Sequence, residues 1–467
     1  MRAGRPLEVS CELELVTWPP LRPARMRCER GSVVVVLPAS SRLLTTSEEE
    51  DMALMRVIGM DIHRVFAEAV ALLDGKITRL GRADMRRDRL EAFARSNLTQ
   101  DDHVVVEATG NAAAVAEVLA PHVGQVVIAN PKQVRLIAHA KIKTDSIDAA
   151  VLAKLYASGF LPEVWVPDER TQALRRQVSR REQLVRQRTR LKNIVQSILH
   201  AHLVPPCPHA DLFGPSGRAW LAAQALPEDE RAAVERHIRT LDALLGDLRL
   251  VERDIARHAL KDEGVRHLMT IPGIDMVVAV GLAAAIGDVA RFASAEKLVA
   301  YLGLNPSVRQ SGEGPARHGR IAKQSRGHAR GMLVEAAWAA ARAPGPFRAF
   351  FQRVSARRGQ HVAAVATARK LAVLAWRLLT RGEDYAWVRP ALQARKMRNL
   401  ELRAGLPALR GLRGAAYDYN IRGMRERERR QAERAETAYR KLTEGWAPQG
   451  PRRRRVRTGA ATKERPS

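Results

Sequence analysis

The chain has 467 residues, too many for one compact core, so two or three domains are expected. Its 78 Lys and Arg against 50 Asp and Glu leave a formal net charge of +28, which draws the chain to polyanions and makes nucleic acid the first partner class. No membrane partner is expected: the longest apolar stretch, Met276 to Ile286, is well short of the roughly 20 residues a spanning helix needs, and with no signal-peptide pattern at the N-terminus the expected location is cytoplasmic. Cys11, Cys28 and Cys207 are too few and too scattered for a disulfide framework or a zinc knuckle, so any metal should be held by oxygen ligands.

Residues 1–54, rich in Pro, Arg and Ser, read as a disordered leader. From Arg56 the texture changes. Arg56 to Asp61, Val65 to Leu73 and Lys76 to Leu80 predict a three-strand meander with a turn at Asp74-Gly75. A helix near Arg86 to Arg95, a buried strand Val104 to Glu107, a helix Asn111 to Leu119, a strand Gln125 to Ala129 and a helix from Asp145 to Tyr156 follow. This pattern predicts an α/β domain over residues 55–165. Residues 166–262 predict two long helices. In the second, Val234, Leu241, Leu248 and Ile255 keep one heptad register, so a coiled coil is expected, with Glu252 weakening its last turns. Residues 263–385 are Ala-rich and helical, opening on Thr270-Ile-Pro-Gly-Ile-Asp275, which resembles the hairpin of a helix-hairpin-helix motif that receives a DNA phosphate on backbone N–H groups. Residues 386–467 read as a basic low-complexity tail ending in Arg452-Arg-Arg-Arg455.

Against this basic background four carboxylates stand out. Asp61 closes the first strand and Glu107 the buried one, while Asp145 and Asp148 lie three apart, as helix neighbours. If the two strands run parallel side by side, as crossover connections favour, Asp61 and Glu107 emerge at one sheet edge, where ligands of open α/β sheets collect. Four clustered carboxylates repel one another unless cations neutralise them. Magnesium or manganese suits such oxygen donors, and two such ions can hold the attacking and leaving oxygens of a phosphoryl transfer. Taken singly, each residue also has a structural explanation: a strand-ending Asp as a turn residue, Asp145 as a helix cap, and Lys141 and Lys143 as surface partners for both aspartates.

Gly59-Met-Asp61, Val106-Glu107-Ala-Thr-Gly110, Asn130-Pro131 and Lys143-Thr-Asp-Ser-Ile-Asp-Ala149 resemble the DEDD transposases of bacterial insertion sequences, the IS-one-ten family. A second block follows in the family's order: Ile271-Pro-Gly-Ile274, Phe292, Tyr301-Leu-Gly-Leu-Asn-Pro306, Gln310-Ser-Gly312 and Gly319-Arg-Ile-Ala-Lys323. The resemblance runs from about Arg56 to Gly382. It implies an RNase H-like, resolvase-like catalytic domain, followed by coiled-coil helices and a helical transposase domain. It puts Asp61, Glu107, Asp145 and Asp148 on the family's magnesium-binding tetrad and Ser311 on its nucleophilic serine. It further implies donor and target DNA, a structured guide RNA, and a homo-oligomer, dimer or tetramer, in which one subunit's tetrad meets another's serine.

Chemistry adds a limited argument for Ser311. A serine hydroxyl needs a base or metal nearby to attack a phosphate, and developing charge needs cations. Arg309, Arg317, Arg320, Lys323, Arg326 and Arg330 lie close in sequence; Arg309, Arg320, Lys323 and Arg326 are the expected nucleic-acid contacts. The expected activity is DNA strand transfer by metal-assisted serine attack. Two alternatives remain: a metal-dependent junction nuclease that uses water and dispenses with Ser311, and a non-catalytic nucleic-acid-binding remnant of a transposase.

Overall fold

The structure is a computed structural model that describes residues 55–137, 144–311, 314, 316–322, 327–408 and 415–444. The 1–54 leader, the Arg452–Arg455 run, Lys141, Lys143, Lys323 and Arg326 lie outside the described residues. The chain divides into two units, residues 1–166 and 167–467.

In the first unit the expected meander is β1 (Val57–Ile62), β2 (Phe66–Leu73) and β3 (Lys76–Asp84). Its turn puts Asp74 and Gly75 at positive φ, 48° and 75°, as a tight hairpin requires. Then come α1 (Arg87–Asn97), β4 (His103–Glu107), α2 (Ala112–Leu119), β5 (Gln125–Ala129), α3 (Pro131–Ile137) and α4 (Asp145–Ala157). The five strands lie in the order β3-β2-β1-β4-β5. The meander pairs antiparallel, whereas β1–β4 and β4–β5 pair parallel. This is a mixed, RNase H-like sheet. Alternation along the strands sorts the apolar side chains into two layers. Ile58, Met60, Val104 and Val106 pack with Leu90 and Ala94 of α1 and Leu119 of α2. Val57, Val105 and Val127 pack on the other face with Leu152 and Ala153 of α4. Arg56 ties the entry to this sheet, donating Nε and Nη2 to the fully buried Asp102 carboxylate at 2.6 and 2.5 Å.

The second unit is largely helical. Its long helices, α5 (Glu169–Ala201) and α7 (Glu228–Leu260), flank the short α6 (Pro215–Ala222). They pair with each other in antiparallel fashion: Leu174, near the start of α5, shares a core with Ile255 near the end of α7, and Val195 and Leu199 share one with Val234. Val234, Leu241, Leu248 and Ile255 are buried as their heptad spacing predicts. Glu252, in the last turns of α7, is half-buried and accepts from Arg181 of α5 at 2.9 Å.

The rest comprises α8 (Glu263–Met269), α9 (Met276–Ile286), α10 (Ala295–Tyr301), α11 (Gly327–Arg342), α12 (Pro346–Arg358) and α13 (Gln360–Arg381). Between α10 and α11 stands an antiparallel ribbon, β6 (Pro306–Arg309) and β7 (Arg317–Ile321), where the Ala-rich composition suggests only helix. The Ile271-Pro-Gly-Ile274 hairpin is a packing element. Ile271 and Ile274 are fully buried, and Gly273, at φ 84°, lies so close to α11 that a Cβ would meet the Ala336 carbonyl at 2.4 Å. The buried Lys396 Nζ donates to the carbonyls of Met269 and Ile274 at 2.6 and 2.9 Å. Asp275 caps α9 with its own carboxylate, accepting from the Val278 N–H at 3.0 Å, so an anionic side chain already sits where a phosphate would bind.

Residues 386–444 also differ from the low-complexity reading. They carry α14 (Pro390–Ala404), α15 (Ala415–Asp418) and α16 (Arg422–Glu444). Among the described residues, no helix is long and apolar enough to cross a membrane.

Candidate metal centre

The site begins with the register of two parallel strands. Met60 of β1 lies beside Val106 of β4, so one step further brings Asp61 and Glu107 to the same C-terminal edge of the sheet. Both face the α4 side, sharing the parity of Gly59 and Val105. Gly59 is what lets α4 come close: a Cβ there would stand 1.9 Å from the Ala149 carbonyl oxygen and 3.2 Å from the Ala153 Cβ. At its far end α4 is tethered by Tyr156, whose Oη lies 2.7 Å from Nδ1 of His103 at the start of β4. Burial pushes the Tyr156 hydroxyl up to about 12, so it remains a neutral hydrogen-bonding group at physiological pH.

The helix therefore runs against the strands, and its N-terminus lies over their C-terminal edge. Thr144, rather than Asp145, is the N-cap: its hydroxyl accepts from the Ile147 N–H at 3.3 Å. Asp145 is thereby released from capping, and it shares the first turn with Asp148.

At this edge Asp61, His63 and Asp145 converge, each offering one ligand atom within 4.8 Å of the others. His63 Nε2 lies 3.4 Å from Asp61 Oδ2 and 3.3 Å from Asp145 Oδ1. Burial pushes the Asp61 carboxyl above the usual carboxylate range; His63 opposes that shift, and Asp148 and Asp145 add to it. A cation would relieve such crowding of negative charge. The donors fit: carboxylate oxygens suit magnesium and manganese, and an imidazole nitrogen adds a ligand characteristic of first-row transition ions.

His63 was not among the sequence candidates, although its signal was present. Two residues beyond Asp61 in an extended segment, it returns to the same face. A second group missed by sequence reasoning is Glu68, the cross-strand partner of Asp61 and only 1% exposed. Arg79 and Arg82 both donate to it, and the Arg79 hydrogen bond holds its carboxyl below the usual range.

Ser311 lies in the other unit, exposed just beyond the end of β6, where Arg309 is paired with Arg317 across the ribbon. Arg309, Arg317 and Arg320 are all exposed.

Two family models match the chain, in order. A DEDD-type transposase model covers residues 58–203, and the Transposase IS116/IS110/IS902 family model covers residues 265–352. The chain belongs to this family of insertion-sequence transposases. Among its relatives, a Sinorhizobium fredii protein named as a transposase, y4qE, is 32% identical over 42% of this chain and 48% of its own length. The chain thus spans about half of that relative. A Pseudomonas aeruginosa protein named as a family 20 transposase is 28% identical over 52% of this chain and 74% of its own length. The transposase for insertion sequence element IS1111A of Coxiella burnetii is 28% identical over 52% and 68%. The first family model spans the strands and helix that carry Asp61, Glu107, Asp145 and Asp148.

Proposed function

We propose that this family member cuts and rejoins DNA at phosphodiester bonds, using a divalent metal held at the C-terminal edge of its RNase H-like sheet. The observation that carries the reading is the convergence of Asp61, His63 and Asp145 at the end of β1. Asp61 and Asp145 supply anionic oxygens, and His63 a nitrogen. Glu107 and Asp148 stand at the same edge as further carboxylates. A divalent ion there would stabilise charge on the phosphate and activate the attacking oxygen. Water is the simplest attacking group, and a metal-dependent nuclease needs only this unit.

The finer reading makes Ser311 the attacking group in strand transfer, with Arg309, Arg320, Lys323 and Arg326 as nucleic-acid contacts. Its support is the resemblance of Gln310-Ser-Gly312 to the family's serine motif and the exposure of Ser311 beside basic strands. A guide RNA and an oligomer in which tetrad and serine come from different subunits belong to the same reading. Sequencing RNA that copurifies with the protein tests the guide.

Trapping on DNA separates the two mechanisms. Serine attack leaves a covalent protein–DNA adduct that disappears in Ser311→Ala and in Asp148→Asn. Metal-dependent cutting that persists in Ser311→Ala, with no adduct under any metal condition, identifies water as the nucleophile.

A further inference from the structure

Helix α16 carries a basic stripe that neither family model covers, since those end at residues 203 and 352. Its inner face is fixed by two buried glutamates. Glu428 accepts the Ala391 N–H at 2.6 Å at the start of α14 and pairs with Arg389 at 3.6 Å. Glu436 accepts the Gly345 N–H at 3.1 Å at the start of α12, together with Arg348 Nε at 2.8 Å and Arg440 Nη2 at 2.6 Å. These contacts, with Ala432 and Ala435 buried between them, set the rotation of the helix about its axis.

The opposite face follows from that rotation. Arg427, Arg430, Arg434 and Lys441 are all exposed, and at 100° per residue they fall within about 60° of one another along about 21 Å of helix. The helix's own acids do not neutralise them. Glu428 and Glu436 point inward, Glu426 and Glu433 pair with Arg422 and Arg429 at 2.8 and 3.0 Å, and the exposed Glu444, one turn past Lys441 at the end of the helix, makes no ion pair with it. Among the described residues, no ion pair engages any of the four stripe cations. A solvated helix face ordinarily mixes signs. This one carries a single sign, on a helix whose orientation is locked by buried polar contacts.

We propose that this face of α16 docks the phosphate backbone of duplex DNA. The fit is one of charge and shape: a straight row of cations against a rod bearing one charge per roughly 1.7 Å. Single strands are a poorer match, because they bind largely by stacking on aromatic side chains and the stripe has none. Tyr439, the aromatic residue of α16, is half-buried with its hydroxyl near Arg353. The choice of DNA rests on the proposed function, but the docking itself does not depend on the metal centre.

The test uses the full chain and a 30-base-pair random-sequence DNA duplex. Replacing the four cations with Gln should lower the slope of log affinity against log salt by about 3.6, from roughly 0.9 per phosphate contact. Over a fourfold range of salt this corresponds to about 150-fold less loss of affinity than in the wild type. Four Lys or Arg swaps (R427K, R430K, R434K, K441R) should restore the slope. Thermal melting should be unchanged in both sets. An unaltered slope in the Gln variant overturns the proposal, as does a larger slope change on an RNA duplex than on DNA. Manganese binding at Asp61 is measured in parallel: its loss in wild type would refute the metal centre and leave the docking result standing.

Discussion

The two units hold their candidate chemical groups in opposite ways. In the sheet unit, Asp61, His63 and Asp145 are placed by backbone: a strand register, a glycine that admits α4, and a tether at the helix's far end. In the helical unit, Ser311 stands exposed beyond a short ribbon. The difference means that packing changes distant from Asp61, His63 and Asp145 should damage the candidate metal centre, whereas the serine should be removable at almost no structural cost.

Substitutions ranked by their effect on folding sharpen this contrast. Asp102→Ala leaves Arg56 facing an empty buried site and should cost about 3–5 kcal/mol, seen as early urea unfolding of the sheet unit. Gly59→Val should cost about 1–3 kcal/mol by pushing α4 outward. It should also weaken manganese binding at least tenfold in calorimetry, though no ligand is touched. Tyr156→Phe removes the hydroxyl's hydrogen bonds to His103 and Gln125, at 2.7 and 3.4 Å, and should cost about 0.5–1.5 kcal/mol. Ser311→Ala should alter stability by no more than about 0.5 kcal/mol, so any effect on strand transfer is chemical.

Asp61→Asn should act in the other direction. Because the Asp61 carboxyl is raised in the fold, its neutral form favours the folded state at low pH, and that contribution is lost as pH rises through its raised value. Metal-free Asp61→Asn should therefore melt higher than wild type at neutral pH and equal to it in acid, while losing metal-dependent cutting. A variant that is no more stable at any pH would show that Asp61 is an ordinary surface carboxylate, and the contrast between the units would fail.

The sheet and its carboxylates were legible in the sequence because the relevant signals are local. Apolar runs ending in Asp61 and Glu107 mark the strands, and the spacing of Asp145 and Asp148 marks a helix start. His63 was obscured because the chain leaves the strand just before it, so only the period of two links it to Asp61. Glu68 sits at a position that reads as solvent-facing until the Arg79 and Arg82 hydrogen bonds are known. In α16 the inner positions are Ala432, Ala435, Glu428 and Glu436, too small or too polar to produce an apolar stripe, and the helix therefore reads as low complexity. The β6–β7 ribbon lacks the alternation of a half-buried strand pair, since Ser307, Val308 and Arg309 of β6 are all exposed.

A metal centre at the edge of the sheet requires that the protein bind manganese through Asp61 and Asp145. Calorimetric titration of manganese into the full chain compares wild type with Asp61→Asn and Asp145→Asn. Wild type should bind saturably, and each variant at least tenfold more weakly with its fold intact by circular dichroism. Equal binding by all three proteins would contradict that requirement.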